Sequence, residues 1–395
     1  MTKSRNVAVS YLCFALFALL ALAAAGSVRA AGAEKYLVYI GTYTGHGSQG
    51  IYAYNFDPST GQLTSLGLAA ATAQPSFLVA TRDHRFLYAI NELDQFEGQS
   101  AGGVSAFSID AATGKLTLLN QTSSRGPGPA FITLDKTERY ILVANYGGGS
   151  VAVFARKPDG SIGDLTAFVR HSGSSVNPER QEAPHAHCIA MSPDNRFAAV
   201  ADLGLDKVFV YPFDQSHGTL GQARINHTDP GVGPRHLAFS ANGKFLYVIN
   251  ELASTVVVNS FDSHFGSLSP LQTISTLPPD FKGTNTDAEI VLHPSGKFLY
   301  ASNRGDDSIT VFAVKEGKGT LSPVETVPTG GRTPRNFAVD PTGRWLLAAN
   351  QDSNSVYTFR IDPKTGRLTA AGEPIQVSSP SMVDFVPLQK GERKR

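Results

Sequence analysis

A chain of 395 residues with 42% hydrophobic residues has ample material for a core, and all-β folds of this length run as single domains. Charged residues are only 17%, the formal net charge is +1, and there is no Lys/Arg-rich run, which argues against nucleic acid as the main partner. The 38 glycines suit a fold with many tight turns.

The chain begins with Lys3 and Arg5, then an apolar stretch from Tyr11 to Ala25, then small residues. Ala31-Gly32-Ala33 fits an A-x-A cleavage site before Glu34. The apolar run is short for a spanning helix, so residues 1–33 are read as a cleaved signal peptide and 34–395 as the mature domain. The expectation is a periplasmic or secreted protein without stable membrane insertion. Cys13 lies in the leader, which leaves Cys188 alone and excludes an internal disulfide in the mature monomer.

Six segments then repeat one pattern: a polar or proline start, a mostly apolar run, a polar turn, a second apolar run, then Asn or Asp. They start at Pro75, Pro129, Pro184, Pro234, Thr286 and Pro334, and successive starts, counted through Pro380, are about 46 to 55 residues apart, the spacing of propeller blades. Each unit reads as four strands, with Asn242-Gly243, Ser295-Gly296 and Thr342-Gly343 turning the first strand into the second. Pro380 to Phe385 looks like a first strand with nothing after it, and Tyr36 to Ile40 like a second strand with nothing before it. The predicted fold is all-β: a seven-bladed β-propeller of four-stranded blades, its ring closed by pairing of the N- and C-terminal strands, which hides edges that would otherwise pair with other chains. The longest candidate loop, Ser172 to Glu182, leads into the strand carrying His185 and His187, where it would cover or line a site.

In such a blade the start of the first strand and the end of the second meet at one mouth of the central channel. The residue after the starting proline is Ser76, Ala130, His185, Arg235, Asp287, Arg335 and Ser381. Two places on come Leu78, Ile132, His187, Leu237, Glu289, Phe337 and Val383, on the same face if period two holds. After the second strand stands Asn91, Asn145, Asp202, Asn250, Asn303 or Asn350, followed by Glu92, Tyr146, Leu203, Glu251, Arg304 or Gln351. The recurring Asn is read as structural, because Asn satisfies nearby backbone groups. The charges that do not recur are read as functional: His185, His187, Arg235, Glu251, Asp287, Glu289, Arg304 and Arg335, in four neighbouring units, with a buried ion network as the bland alternative. His236 should point to the other face and pack. His84, His217, His264 and His293 read as surface groups, and Asp306, Asp307 and Asp352 as solvated loop charges. A lone H-x-H at His185 and His187 is weak evidence for a metal. No metal and no cofactor are expected.

The segments Pro184-His185-Ala186-His187, Gly233-Pro234-Arg235-His236, Asn250-Glu251-Leu252, Ala288-Glu289-Ile290, Ser302-Asn303-Arg304 and Thr333-Pro334-Arg335-Asn336-Phe337 resemble the bacterial lactonase family of seven-bladed propellers, of the 6-phosphogluconolactonase type. The resemblance covers Tyr36 to Pro387. It implies a hydrolase opening a small sugar-derived lactone, with a His, an Arg and a Glu matching His187, Arg235 and Glu251 and a further Arg, for which Arg304 and Arg335 are both candidates. Of the other non-recurring charges, Arg304 is placed with the catalytic residues, and His185, Asp287, Glu289 and Arg335 are expected to bind substrate. Glu251 or His187 would be the general base, and Arg235 with Arg304 or Arg335 would bind the anion. A monomer is expected. The alternatives are a lactone cycloisomerase using the same groups and a non-catalytic binding propeller.

Overall fold

The computed structural model describes residues 36–45 and 47–388; the leader assigned to residues 1–33 lies outside them. The described residues form seven antiparallel sheets, and the first strands of successive sheets touch in a closed cycle. Blades are numbered here in chain order, the closing blade last.

Blade 1 is Leu78–Ala80, Phe86–Asn91, Gly103–Ile109 and Leu116–Ser123. Blades 2, 4 and 5 begin at Pro129–Leu134, Pro234–Phe239 and Thr286–Leu292 and are likewise four-stranded. Blades 3 and 6, beginning at Ala186–Met191 and Pro334–Val339, have the outer strand broken into two short pieces. Blade 7 joins Pro380–Pro387 to Tyr36–Thr42, Gly50–Asp57 and Gln62–Ala71, with Tyr36 opposite Pro387 and Ile40 opposite Val383. The ring therefore closes between the two ends of the described chain, as the sequence predicts.

Second strands such as FLYAIN (Phe86–Asn91), YILVAN (Tyr140–Asn145) and FLYVIN (Phe245–Asn250) are buried at every position. Both of their faces meet neighbouring blades, so the apolar run need not alternate with polar residues. The core is accordingly a set of apolar layers between blades.

One device recurs between blades. Tyr88, Tyr247 and Tyr300, each on a second strand, donate their hydroxyls to the carbonyls of Gly160, Gly319 and Gly366 in the outer turn of the next blade, at 2.7, 3.0 and 3.0 Å. These glycines have positive φ, and a Cβ there would meet the phenylalanine two residues before the tyrosine, 2.5 Å from Phe245 in the case of Gly319. Two turn positions apart in the same loop, Gly317 has φ +72° but open space around its Cβ. Gly317→Ala is expected to cost about 1 kcal/mol from backbone strain alone. Gly319→Ala adds steric overpacking against Phe245, for about 2–4 kcal/mol in total. Urea unfolding of the two variants checks the difference, and equal losses would refute the steric argument.

The repeated Asn stands at or next to the end of the second strands of blades 1, 2, 4, 5 and 6, where it serves as a brace. Asn145 donates to Ser124 O at 3.0 Å and Asn303 to Thr276 O at 3.2 Å, tying the second strand to the chain that leaves the preceding blade. Asp202 is the exception: its carboxylate holds His171 Nδ1 at 2.5 Å and the His185 backbone N–H at 2.8 Å.

Candidate active site

The geometry of the channel mouth depends on a β-bulge near the start of the first strand. In blade 4, Pro234 lies opposite Asn250 and His236 opposite Ile249, so Arg235 is the extra residue. In blade 6 the extra residue is Arg335, and in blade 3, where Ala186 lies opposite Asp202 and Cys188 opposite Ala201, it is His187. A bulge re-aims the inserted side chain and lets neighbours share a face. Arg235 and His236 therefore both border the mouth, together with His187, Arg335, Asn336 and, from the closing side, Tyr43, Ser76, Glu92 and Ser381.

This corrects two expectations. His236 does not turn away from the channel, because strict alternation fails at the bulge. The columns also shift in blades 3 and 5: the residue matching Arg235 in blade 3 is His187, not His185, and Asp287 pairs with Asn303 as Pro234 pairs with Asn250. Asp287 thus occupies the structural position of a proline. It is fully buried and accepts hydrogen bonds from Thr276 Oγ1 at 2.9 Å and Asn285 Nδ2 at 3.0 Å. It braces the entry of blade 5 and does not border the mouth, so its expected part in binding substrate is not supported. Burial raises its carboxyl well above the usual range.

Glu251 is the hub of the cationic side. Its Oε2 takes Arg235 Nε at 2.9 Å and an Arg304 terminal nitrogen at 3.0 Å, and its Oε1 takes Arg180 at 2.5 Å. Burial opposes its ionisation, but Arg304, Arg235 and Arg180 outweigh it and hold the carboxyl at about 2. Both of its oxygens are engaged by guanidinium groups, an arrangement that suits an anchor for the arginines better than a proton acceptor. Three arginines on one carboxylate leave net positive charge for an anionic oxygen. Burial and the neighbouring Arg304 push Arg235 down to about 10, so it stays charged at neutral pH.

Arg335 stands across the mouth, its guanidinium 5.1 Å from the centre of the Tyr43 ring. Tyr43 donates to Glu92 Oε2 at 2.7 Å, and Ser76 donates to the same oxygen at 2.5 Å. His187 is almost wholly buried, its Nδ1 has no hydrogen-bond partner, and its ring meets Tyr146 and His236 edge-on at 5.4 and 5.1 Å. Burial, then Arg235, His236 and Arg335, hold it neutral. His185 lies further out, stacked on Tyr146 at 4.3 Å with Nδ1 bonded to the Tyr146 carbonyl at 3.0 Å. Glu289 sits behind the mouth, bonded to His236 and Asn336.

Sequence reasoning passed over Arg180, Tyr43, Glu92, Tyr146 and Asn336. Glu92 and Tyr146 share the column of Glu251 and Arg304, which was a usable signal. Arg180 comes from the Ser172 to Glu182 loop, which Gln181, donating to Leu203 O, and Ser175, donating to Asp206, hold so that Arg180 reaches Glu251. Of the histidines read as surface groups, His293 is buried, its Nε2 bonded to Gly343 O in the next blade at 2.8 Å. Cys188 is buried and free, and burial pushes its thiol up. Among the described residues no group of three or more His, Cys, Asp or Glu could hold a metal ion.

A family model described as lactonase, seven-bladed β-propeller, matches residues 37–385. The chain is 36% identical over 352 residues to a 6-phosphogluconolactonase of Bacillus subtilis, covering 89% of this chain and 99% of the relative. It superposes with TM-score 0.83 on the periplasmic gluconolactonase of Pseudomonas aeruginosa, at 36% identity and coverage of 89% and 99%. A protein from Lactobacillus plantarum gives TM-score 0.83 at 34% identity, with the same coverage. With this fold, this mouth and these relatives, the chain belongs to the lactonase family of seven-bladed β-propellers, enzymes that hydrolyse lactones.

Proposed function

We propose that this lactonase opens a gluconolactone-type sugar lactone by attack of water on the ring carbonyl at the mouth lined by His187, Arg235, His236 and Arg335. Opening needs a proton acceptor for the attacking water and positive charge where the carbonyl oxygen becomes anionic. The observation that carries the reading is the Arg235–Glu251–Arg304 cluster: rigid guanidinium forks, fixed by one carboxylate, beside neutral imidazoles. Glu251 acts by aiming the arginines. The arginines stabilise the oxyanion, the bond from carbonyl carbon to ring oxygen breaks, and the proton taken from water is returned to the departing ring oxygen. The Bacillus subtilis relative is named for the phosphorylated lactone and the Pseudomonas aeruginosa one for gluconolactone in the periplasm. With the leader-like N-terminus, the second suits an exported chain.

The test is lactone opening followed by pH-stat against the buffer rate, with gluconolactone and its 6-phosphate as substrates. The mature chain is expected to accelerate at least one of them, and Arg235→Lys to reduce that acceleration at least about a hundred-fold, because a planar fork becomes a point charge. Tight binding of lactones without turnover would favour the binding-propeller reading. The mature N-terminus is expected close to Glu34. Mass spectrometry of exported protein decides it, and a chain still beginning at Met1 would refute processing.

A further inference from the structure

The bulge that brings His236 to the mouth also backs it with a carboxylate. Its Nδ1 lies 2.9 Å from Glu289 Oε1. Glu289 is itself fixed by two further bonds: Oε1 also accepts the Ile290 N–H at 2.9 Å, and Oε2 accepts Asn336 Nδ2 at 2.5 Å. Asn336 is held in turn, its Oδ1 accepting the Val383 N–H at 3.0 Å. That last bond sets which way the Asn336 amide faces, so its NH₂ must point at Glu289. An ionised Glu289 makes Nδ1 of His236 the donor and leaves Nε2 with the free lone pair. Nε2 is buried and has no hydrogen-bond partner. The cavity that His236 shares with His187, Arg235 and Arg335 has a volume of about 10 Å³, at the lower limit of what holds one water.

We propose that His236, held in one tautomer by Glu289, is the general base that takes the proton from the attacking water. This rests on the lactonase reading above. The choice between the two imidazoles follows from their surroundings. On gaining a proton, His187 would become a cation facing Arg235 and Arg335 with no carboxylate against it. His236 faces the same arginines and His187, but its new charge is met directly by Glu289. A carboxylate behind an imidazole orients it and stabilises the imidazolium that forms. In the cycle, water forms the bond to the carbonyl carbon as its proton passes to Nε2. The ring C–O bond then breaks as that proton passes from Nε2 to the ring oxygen, leaving a hydroxy acid and neutral His236. Glu289 is a positioning residue throughout, and no other reactant is needed.

The experiment is the pH profile of kcat and KM for whichever lactone the wild-type chain turns over, compared with His236→Gln, Glu289→Gln and His187→Gln. His236→Gln is expected to lose about a hundred- to ten-thousand-fold in kcat, with KM changed only a few-fold. Glu289→Gln is expected to keep an acid limb but move it to lower pH, with a lower plateau, because the imidazolium has lost its counter-charge. His187→Gln is expected to keep the acid limb in place. Near-normal kcat in folded His236→Gln protein overturns the proposal. So does a Glu289→Gln profile that falls uniformly without moving, since that is what a merely structural carboxylate would give. If His236→Gln does not fold, the Glu289→Gln and His187→Gln profiles still decide. A wild-type chain that opens neither lactone refutes the parent reading, and this one with it; an active wild type with an active His236→Gln refutes only this one.

Discussion

A chain running from Glu34 to Ser379 is expected to melt at least about 10 °C below one running from Glu34 to Arg395, or to show no cooperative transition. The deletion removes the strand Pro380–Pro387, which pairs along the whole of Tyr36–Thr42. It strips Val383 and Val386, 1% and 0% exposed, from the core, each worth about 1.5–3 kcal/mol of burial. It also exposes the edge of Tyr36–Thr42 and opens the gap between blades 6 and 1. In an open ring the first strands lose the mutual contacts that hold their bulged entries together, and Ser381 and the Val383 bond to Asn336 are lost with them. Activity is therefore expected to disappear with stability. Thermal unfolding by circular dichroism checks this; a midpoint within a degree or two of the intact chain would refute closure as the main restraint.

The second large effect is expected from Glu251→Gln. The amide is nearly isosteric, but Arg180, Arg235 and Arg304 then surround a neutral group. Breaking a buried ion cluster from one side typically costs about 3–5 kcal/mol at neutral pH. The pH dependence has a definite sign. The folded-state value of Glu251, about 2, lies below its ordinary 4.5, so the stability it provides is fully present above 4.5. That stability is lost as pH falls through 4.5 towards 2, a contribution of roughly 3 kcal/mol. The gap in urea stability between wild type and variant should be wide at pH 7 and much narrower near pH 2. A gap that does not change with pH would show that the carboxylate is not charged in the cluster. Turnover should fall about a hundred-fold as the freed guanidinium groups lose their aim. Were Glu251 instead the proton acceptor, the variant would lose the acid limb of the rate profile; the expectation here is that the limb stays.

Much of the architecture is legible in the sequence because it rests on local, repeated physics. The unbroken apolar second strands, the turn glycines and the Asn braces recur at blade spacing, and the incomplete units at Tyr36 and Pro380 declare their own pairing. Propeller topology then brings strand entries and exits to one mouth, so His187, Arg235, Glu251, Arg304 and Arg335 are found near one another as the columns suggest. The tertiary structure decided the rest. Bulges displace the inner strands by one residue, which period two cannot anticipate, so His236 enters the mouth. Asp287, next to the Thr286 at which the repeat pattern starts, falls into the position of a proline because strand pairing, not the apolar pattern, sets the register. The same folding brings Arg180 from a loop 71 residues before Glu251 onto its carboxylate. That contact, with Arg235 and Arg304, makes Glu251 the anchor of three arginines. The sequence thus determined which residues carry charge and at which end of the blades they stand. Which partner each charge meets was decided only by packing, because a proton's affinity for a buried group is set by neighbours that lie far apart along the chain.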